Sequence, residues 1–389
     1  DMKTSANRKI KLNDQQLTLD ASQVSDLYHK LTLELFDQMV DRLLERGSVS
    51  LAENPYIWQL EKMNQMGLLN DANVKLIAEY TGIAEKQLRN VIEGEGYKVY
   101  KTTRDQLAET LGVDDLSDDS EIQNNLASYA NQALGDVNNL INSTLPESVR
   151  SVFQSVIEES VGKVITGVTT PERALNDTIM KWFEKGFYGF TDSQGKRWRA
   201  DSYARTVIRS TVKRAFREMR TAPAREFDID TFYFSKKATA REACAPLQHQ
   251  IVTYGPQREE NGITILSMND HGYGTPAGCL GINCGHDITP FVVGFNELPD
   301  LGPDVKDISP SEAIANANAQ AKQRALERKI RRSKEFLHVA KRLGDKDLID
   351  KYKSKIRIQQ GAMRDYLKDK PFLHRDYARE KYHHNNDAV

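Results

Sequence analysis

The stretch DSYARTVIRSTVKRAFREMR at 201–220, followed by TFYFS at 231–235, is where the chain changes architecture. In the first segment Tyr203, Val207, Val212, Phe216 and Met219 recur at helical spacing and make one apolar stripe. Arg205, Arg209, Lys213, Arg214, Arg217 and Arg220 give the same helix a basic face. That face can hold phosphates, or it can pair with acidic helices elsewhere in the chain. The second segment is a run of β-favouring aromatics that reads as a strand. The residues before this junction read as helix. The chain beyond it, for about a hundred residues, reads as short strands separated by loops. The fold class is therefore α+β and predominantly α-helical. We expect a helical region at 1–200, a small α+β unit at 201–300 and a basic helical region at 301–389.

Working upstream, Val24, Leu27, Leu31, Leu35, Met39 and Leu43 form an amphipathic stripe, with Gly47 placed to end the helix. Residues 68–93 read as two short helices about Thr81-Gly82-Ile83, either a plain hairpin or a DNA-reading helix-turn-helix. The second of these carries only Lys86 and Arg89 against Glu85 and Glu93, which is too little positive charge for phosphate binding. An acidic loop, Asp114-Asp115 and Asp118-Asp119, leads into a helix over about 120–143, and another begins near Pro146. Thr170-Pro171 is an N-cap followed by Pro at the first helical position. Gly186–Trp198 reads as a loop or short hairpin, and the long basic helix is expected to end at about Arg220, before Pro223.

Downstream, Ile251–Tyr254 and Ile263–Leu266 read as strands, with a closing strand over 290–295. Helix resumes at Ser309-Pro310 and runs through 311–342 and 346–368. The tail from Pro371 reads as loosely held, and residues 1–20 as polar and poorly ordered or extended along a partner.

Mean hydropathy is −0.59, which favours an elongated, helix-rich molecule over one compact globule. The net charge of −1 hides an asymmetry: residues 101–170 hold 4 Lys/Arg against 11 Asp/Glu, and residues 311–389 hold 20 against 11. A basic end points to an acidic partner such as nucleic acid, or to a solvated helical face. There is no apolar run long enough to span a membrane and no signal-peptide core. The first residue is Asp, so the chain can begin inside a longer one. Three cysteines in 389 residues argue against a disulfide scaffold and fit assembly in a reducing cytoplasm.

All three cysteines lie in the α+β unit, with three histidines: Cys244, His249, His271, Cys279, Cys284 and His286. Thiolates and imidazoles on loops are the usual tetrahedral zinc ligands. A candidate set is Cys244, Cys279, Cys284 and His286, with His249 as a substitute. The spacing is not that of paired CxxC knuckles, so a core of unmetallated Cys and His stays open beside structural zinc. No cofactor is certain. No GxSxG elbow, P-loop or HExxH occurs, and no catalytic residue is assigned.

The order of motifs across 203–298 resembles the minor capsid (minor head) proteins of tailed bacteriophages, the minor capsid protein 2 and Mu F-like families. The resemblance rests on Tyr203–Thr211, on Arg241-Glu242-Ala243-Cys244-Ala245-Pro246-Leu247-Gln248, and on Gly281-Ile282-Asn283-Cys284-Gly285-His286. It is completed by Pro290-Phe291-Val292-Val293-Gly294. Gly285 stands where the family carries Arg, and His249 where it often carries Gly. The resemblance implies a structural protein of the virion and not an enzyme, present in multiple copies inside the capsid near the portal. Its implied partners are the portal protein, the major capsid protein and double-stranded DNA, with no membrane. It implies roles in head assembly and in genome packaging or delivery. The cations we assign to DNA are Arg205, Arg209, Lys213, Arg217, Arg324, Arg328, Arg331 and Arg332. The alternative is a zinc-dependent enzyme acting on nucleic acid, with Glu242 or Asp287 as its acid or base.

Overall fold

The computed structural model describes residues 8–9, 15–45, 50–114 and 119–382. A two-residue strand, β1 (Arg8–Lys9), precedes helix α1 (Gln15–Leu44). Val24, Tyr28, Leu31, Leu35, Met39 and Leu43 are all buried, so the predicted stripe is the core face of α1. Gly47 and the acidic loop at 115–118 lie outside the described residues. Helix α2 (Pro55–Asn64) contributes Lys62, whose side chain is fully buried. Its ammonium donates to the carbonyls of Arg42 at 2.8 Å and Glu45 at 2.6 Å. It places a cation at the negative end of the α1 dipole and satisfies carbonyls that lack helical partners.

The predicted break at Thr81-Gly82-Ile83 does not form. Helix α3 (Met66–Arg89) runs straight through it, a π-helical turn follows at Asn90–Glu95, and α4 (Gly96–Leu111) continues. Leu69, Asn73, Ile77, Tyr80, Ala84 and Leu88 are buried at spacings of three or four across the glycine. One helical glycine costs only about 1 kcal/mol against alanine, and continuous burial outweighs that. This excludes both the hairpin and the helix-turn-helix.

The break at Pro146 is also absent. Helix α5 (Ser120–Ile165) is 46 residues long with the proline inside it. Its buried positions Val137, Ile141, Leu145, Val149, Phe153 and Val156 hold register on both sides. A proline in a helix interior costs roughly 3 kcal/mol, less than several buried aliphatic side chains contribute.

Helix α6 (Pro171–Lys185) starts as expected, with the Thr170 hydroxyl accepting from the Arg173 amide. A hairpin of β2 (Tyr188–Thr191) and β3 (Arg197–Arg199) comes next. Helix α7 (Ala200–Glu226) runs past Arg220 and through Pro223. It packs on α1, α4 and α5 through Ala204, Ile208, Val212, Ala215 and Met219.

The strands after α7 are β4 (Thr231–Phe234), β5 (Ile251–Thr253), β6 (Arg258–Glu260), β7 (Ile263–Ser267) and β8 (Ile288–Pro290). They form one sheet in the order β6-β7-β5-β4-β8, with β5 and β7 parallel and the other pairs antiparallel. The closing strand thus lies just before the predicted 290–295, and Pro290 ends it on a sheet edge, where a missing N–H is tolerated. Strand β9 (Asn296–Glu297) pairs in parallel with β1.

After a short helix α8 (Pro303–Lys306), α9 (Pro310–Leu343) opens with a capping box between Ser309 and Glu312. Helix α10 (Lys346–Leu367) folds back on it. The main core joins Phe336, Val339, Ala340, Leu348 and Tyr352 from α9 and α10 to the helices before residue 222. The tail is not loose over its described part. Helix α11 (Tyr377–Glu380) buries Glu380 against Arg375 at 2.7 Å, and Gln323 of α9 donates to the His374 carbonyl at 2.8 Å.

A charged knot ties the bundle together. His29 of α1 lies between Asp201 of α7, 2.7 Å from Nδ1, and Glu335 of α9, 2.6 Å from Nε2. All three are buried. Arg199 flanks Asp201 at 3.3 Å, and Arg332 flanks Glu335 at 3.0 Å.

Candidate functional site

Successive residues of β4 point to opposite faces of the sheet. Phe232 and Phe234 pack with Cys244, Cys279 and Cys284 on one face, whereas Tyr233 packs with Ile251, Ile265 and Phe291 on the other. His249 belongs to the second face: its Nδ1 lies 3.0 Å from the Tyr233 hydroxyl. The sheet therefore separates His249 from the sulfur cluster, and it cannot substitute as a ligand there.

Cys244 sits in a tight turn whose amides return to the Arg241 carbonyl, with Cys244 N and Ala245 N both 2.9 Å from it. Cys284 sits at the end of a loop wound closely on itself. A side chain at Gly278 would meet the Gly272 carbonyl oxygen at 1.8 Å, and one at Gly281 would meet that of Pro276 at 2.4 Å. Leu280 and Asn283 take positive φ of 57° and 60°. That region is costly for Leu, so the surrounding contacts must hold it. Arg241 supplies some of them, donating to the carbonyls of Pro276 at 3.3 Å, Ala277 at 3.4 Å and Ile282 at 2.5 Å.

These turns bring Cys244, Cys284 and His286 together, with one ligand atom from each within 4.8 Å of the others, all buried. The two sulfurs are 3.5 Å apart, and Cys284 Sγ is 3.4 Å from His286 Nδ1. Cys279 is not in this group. Its thiol faces the Met268 carbonyl at 3.4 Å, and burial pushes it up to about 11. His271 is also outside it.

Gln248 fixes the imidazole. Its Oε1 accepts the Lys237 amide at 2.7 Å, which identifies that atom as the oxygen, and it lies 2.9 Å from His286 Nε2. Nε2 must then carry the proton it donates, and Nδ1 faces the sulfurs. The Cys244 thiol, hydrogen-bonded to Cys284, holds Cys284 well below the usual thiol range against the opposing effect of burial, and His286 adds to this. Cys244 itself is raised, first by that same hydrogen bond and then by burial. The pair thus favours one thiolate, at Cys284. Lys213 of α7 closes the arrangement, donating to the Cys284 carbonyl at 2.8 Å.

No carboxylate enters this ligand group. Glu242 is exposed, and Asp287 lies 3.6 Å from Arg220. The cluster offers two sulfurs and one imidazole nitrogen, a soft set suited to holding a cation such as zinc. Sequence reasoning assigned no role to Gln248, Arg241 or the Lys213–carbonyl contact. Arg241 and Gln248 lie in the Arg-x-x-Cys-x-Pro-x-Gln segment, and their fixed spacing about Cys244 was the available signal.

The eight cations assigned to DNA fall into different settings. Arg332 donates to the carbonyls of Phe183 at 2.8 Å and Glu184 at 2.9 Å besides pairing with Glu335, and Arg324 pairs with Glu327 at 2.9 Å. Arg217 is half-buried, with an Nε that has no hydrogen-bond partner among the described residues. Arg205 reaches Asp26 at 3.3 Å, and Arg209 reaches the Ser22 hydroxyl at 3.2 Å. Arg205, Arg331 and Arg379 lie close enough for their charges to bear on Arg209, whose guanidinium is lowered first by burial and then by them. Arg331 is lowered by burial, Arg205 and Arg328 in the same way. Arg209 is nevertheless solvent-exposed. α7, α9 and α11 thus bring like charges near one another, with Asp26 and Glu335 as the acids that act on them.

Among the described residues no helix is long and apolar enough to cross a membrane. No solved structure matches the chain. A structural protein of Lactococcus phage LL-H is 31% identical over 369 residues, covering 92% of this chain and 98% of that one. A structural protein of Lactococcus phage mv4 is 41% identical over 115 residues, covering 30% of this chain and 89% of its own. Residues 12–368 match the family described as phage minor capsid protein 2. With nearly the whole chain matched and the Cys/His loop and helical bundle inside that match, the chain belongs to the phage minor capsid protein 2 family, the structural proteins of the virion.

Proposed function

We propose that this protein is a non-catalytic inner-capsid component, beside the portal, whose cluster of cations meets packaged double-stranded DNA. The observation that carries the reading is the convergence of Arg209, Arg328 and Arg331 with Arg205 and Arg379. Like charges gathered from separate elements repel one another, and a polyanion bound beside them removes that cost. Arg328 is exposed and Arg331 half-buried, which leaves the Arg328 charge facing solvent and open to phosphate. Arg324 and Arg332 are committed to the fold and belong to its support. On α2, Tyr56 and Leu60 stand one turn apart and exposed, which offers the portal or the major capsid protein an apolar contact.

The test is binding of the purified chain to a double-stranded DNA fragment across a salt series. Affinity should fall steeply with salt, and Arg328→Ala with Arg331→Ala should reduce the log–log slope by about one per lost phosphate contact. Salt-independent binding, or an unchanged slope in the double variant, would refute the DNA contact. Localised reconstruction of the capsid vertex tests the placement: a long helical bundle should stand against the portal on the inner side, and density only on the outer shell would refute it.

A further inference from the structure

We propose that Cys244, Cys284 and His286 bind one zinc ion, which clamps the loop at 272–286 to the turn at 241–248, with the fourth position taken by water. The geometry already has the size of the site. Zn–S near 2.3 Å and Zn–N near 2.05 Å at tetrahedral angles place sulfur atoms about 3.8 Å apart and sulfur from nitrogen about 3.6 Å. The observed separations of Cys284 Sγ from Cys244 Sγ and from His286 Nδ1 are 3.5 Å and 3.4 Å, so each needs only a few tenths of an ångström of expansion, and all three ligand atoms lie within 4.8 Å of one another.

The imidazole is set for the task. Gln248 Oε1 accepts the hydrogen bond of Nε2–H, which leaves Nδ1 as the ligand atom, and Lys237 N holds Gln248 from behind. A hydrogen-bonded outer partner that fixes the tautomer is the usual companion of a metal-bound histidine. Charge also balances: two thiolates and a neutral imidazole cancel Zn²⁺, so a buried site carries no net charge. The soft donor set, without carboxylates, disfavours magnesium and calcium.

The site also gives the loop strain a purpose. Leu280 and Asn283 in the left-handed region, and backbone packed on backbone at Gly278, aim Cys284 and His286 at Cys244. The competing use of two sulfurs at 3.5 Å is a Cys244–Cys284 disulfide. That requires closure to about 2.05 Å and an oxidant to accept two electrons, and it leaves the ordered imidazole without a role.

The experiment uses the full-length chain, purified without metal chelators and with reductant present. Elemental analysis by plasma mass spectrometry should return close to one zinc per chain. Cobalt substitution should give a thiolate-to-metal charge-transfer band in the near ultraviolet and the strong visible bands of tetrahedral Co²⁺. Cys279→Ser and His249→Gln should keep the metal, and Cys284→Ser and His286→Gln should lose it. Because a ligand variant can simply misfold, Gln248→Ala provides a second reading: both sulfurs and the imidazole remain, and zinc affinity should fall by about 10- to 100-fold. A folded chain that takes up neither zinc nor cobalt overturns the proposal. So does a cobalt spectrum without thiolate charge transfer, or zinc lost equally in Cys279→Ser and Cys284→Ser. A Cys244–Cys284 disulfide found by peptide mapping of virion-derived protein would also overturn it.

Discussion

Replacing His29 by Ala removes the one group that bridges the buried carboxylates of α7 and α9. Breaking a buried ion pair by removing one partner typically costs about 3–5 kcal/mol, because the remaining charge keeps its desolvation penalty. Here Arg199 stays 3.3 Å from Asp201 and Arg332 stays 3.0 Å from Glu335, so neither carboxylate is left alone. That places the loss at the lower end, about 3 kcal/mol. With a urea slope near 3 kcal/mol per molar, the unfolding midpoint should fall by about 1 M. The pH profile adds a second signature. Burial alone lowers the His29 pKa, but the hydrogen bonds and charges of Asp201 and Glu335 more than reverse it, and the net shift is upward. A raised folded value means the contribution is complete below the unfolded value near 6.5 and is lost as pH rises toward the folded one. Glu335 is raised by burial but held down to about 2, mainly by His29, and Asp201 is depressed in the same way. Their contributions are complete above about pH 4 and are lost as pH falls toward their folded values. Stability should therefore plateau between about pH 4.5 and 6.5 and decline on both sides, and His29→Gln should abolish the decline on the alkaline side. Chemical denaturation followed by circular dichroism at several pH values measures both. A midpoint shift under about 0.3 M, or an alkaline slope that survives in His29→Gln, would refute the reasoning.

Two other substitutions have clear expected outcomes. Lys62→Met should cost about 2–3 kcal/mol in the same denaturation assay, because it strands the carbonyls of Arg42 and Glu45 at the C-terminal end of α1. Gly82→Ala should stabilise by about 0.5–1 kcal/mol, since a Cβ there meets nothing within 4 Å and the site is interior to a helix; destabilisation would instead indicate a turn.

The helical character, the strands at 231–235, 251–254 and 263–266, and the two C-terminal helices were legible because apolar spacing reports the buried face directly. The misplaced boundaries share one cause. Gly82, Pro146 and Pro223 are local helix breakers, and local penalties of about 1–3 kcal/mol are outweighed by the tertiary burial that runs on either side of them. In α3 that burial runs from Leu69 to Leu88, and in α5 from Val137 to Val156. The site was legible as a composition, not as a geometry. All the Cys and His candidates fall within about forty residues, but their faces are set by which alternating β4 side chain each one packs against, Phe234 or Tyr233. That alternation separates His249 from Cys244, although they are five residues apart. The docking of the tail was hidden for a similar reason: Glu380 reads as a solvated charge until Arg375 and α9 enclose it.

Lys213 is where the two proposals meet, and it can separate them. Its position on the basic face of α7 marks it for DNA, yet its ammonium donates to the Cys284 carbonyl at 2.8 Å. Burial lowers its pKa despite an exposed stem, and the neighbouring cations Lys237 and Arg217 act in the same direction. A lysine held this way reinforces the loop that carries Cys284 and has little freedom to follow a phosphate backbone. Lys213→Met keeps most of the aliphatic stem and removes the donor. It should leave the salt slope of DNA binding unchanged, because that slope counts cations that release counterions on contact. In the same variant zinc should exchange faster into a colorimetric chelator, since the Cys284 carbonyl loses its charged partner. If the slope drops by about one unit while zinc retention holds, Lys213 belongs with the DNA-contacting cations, and the sulfur loop is held by Arg241 and its own backbone contacts.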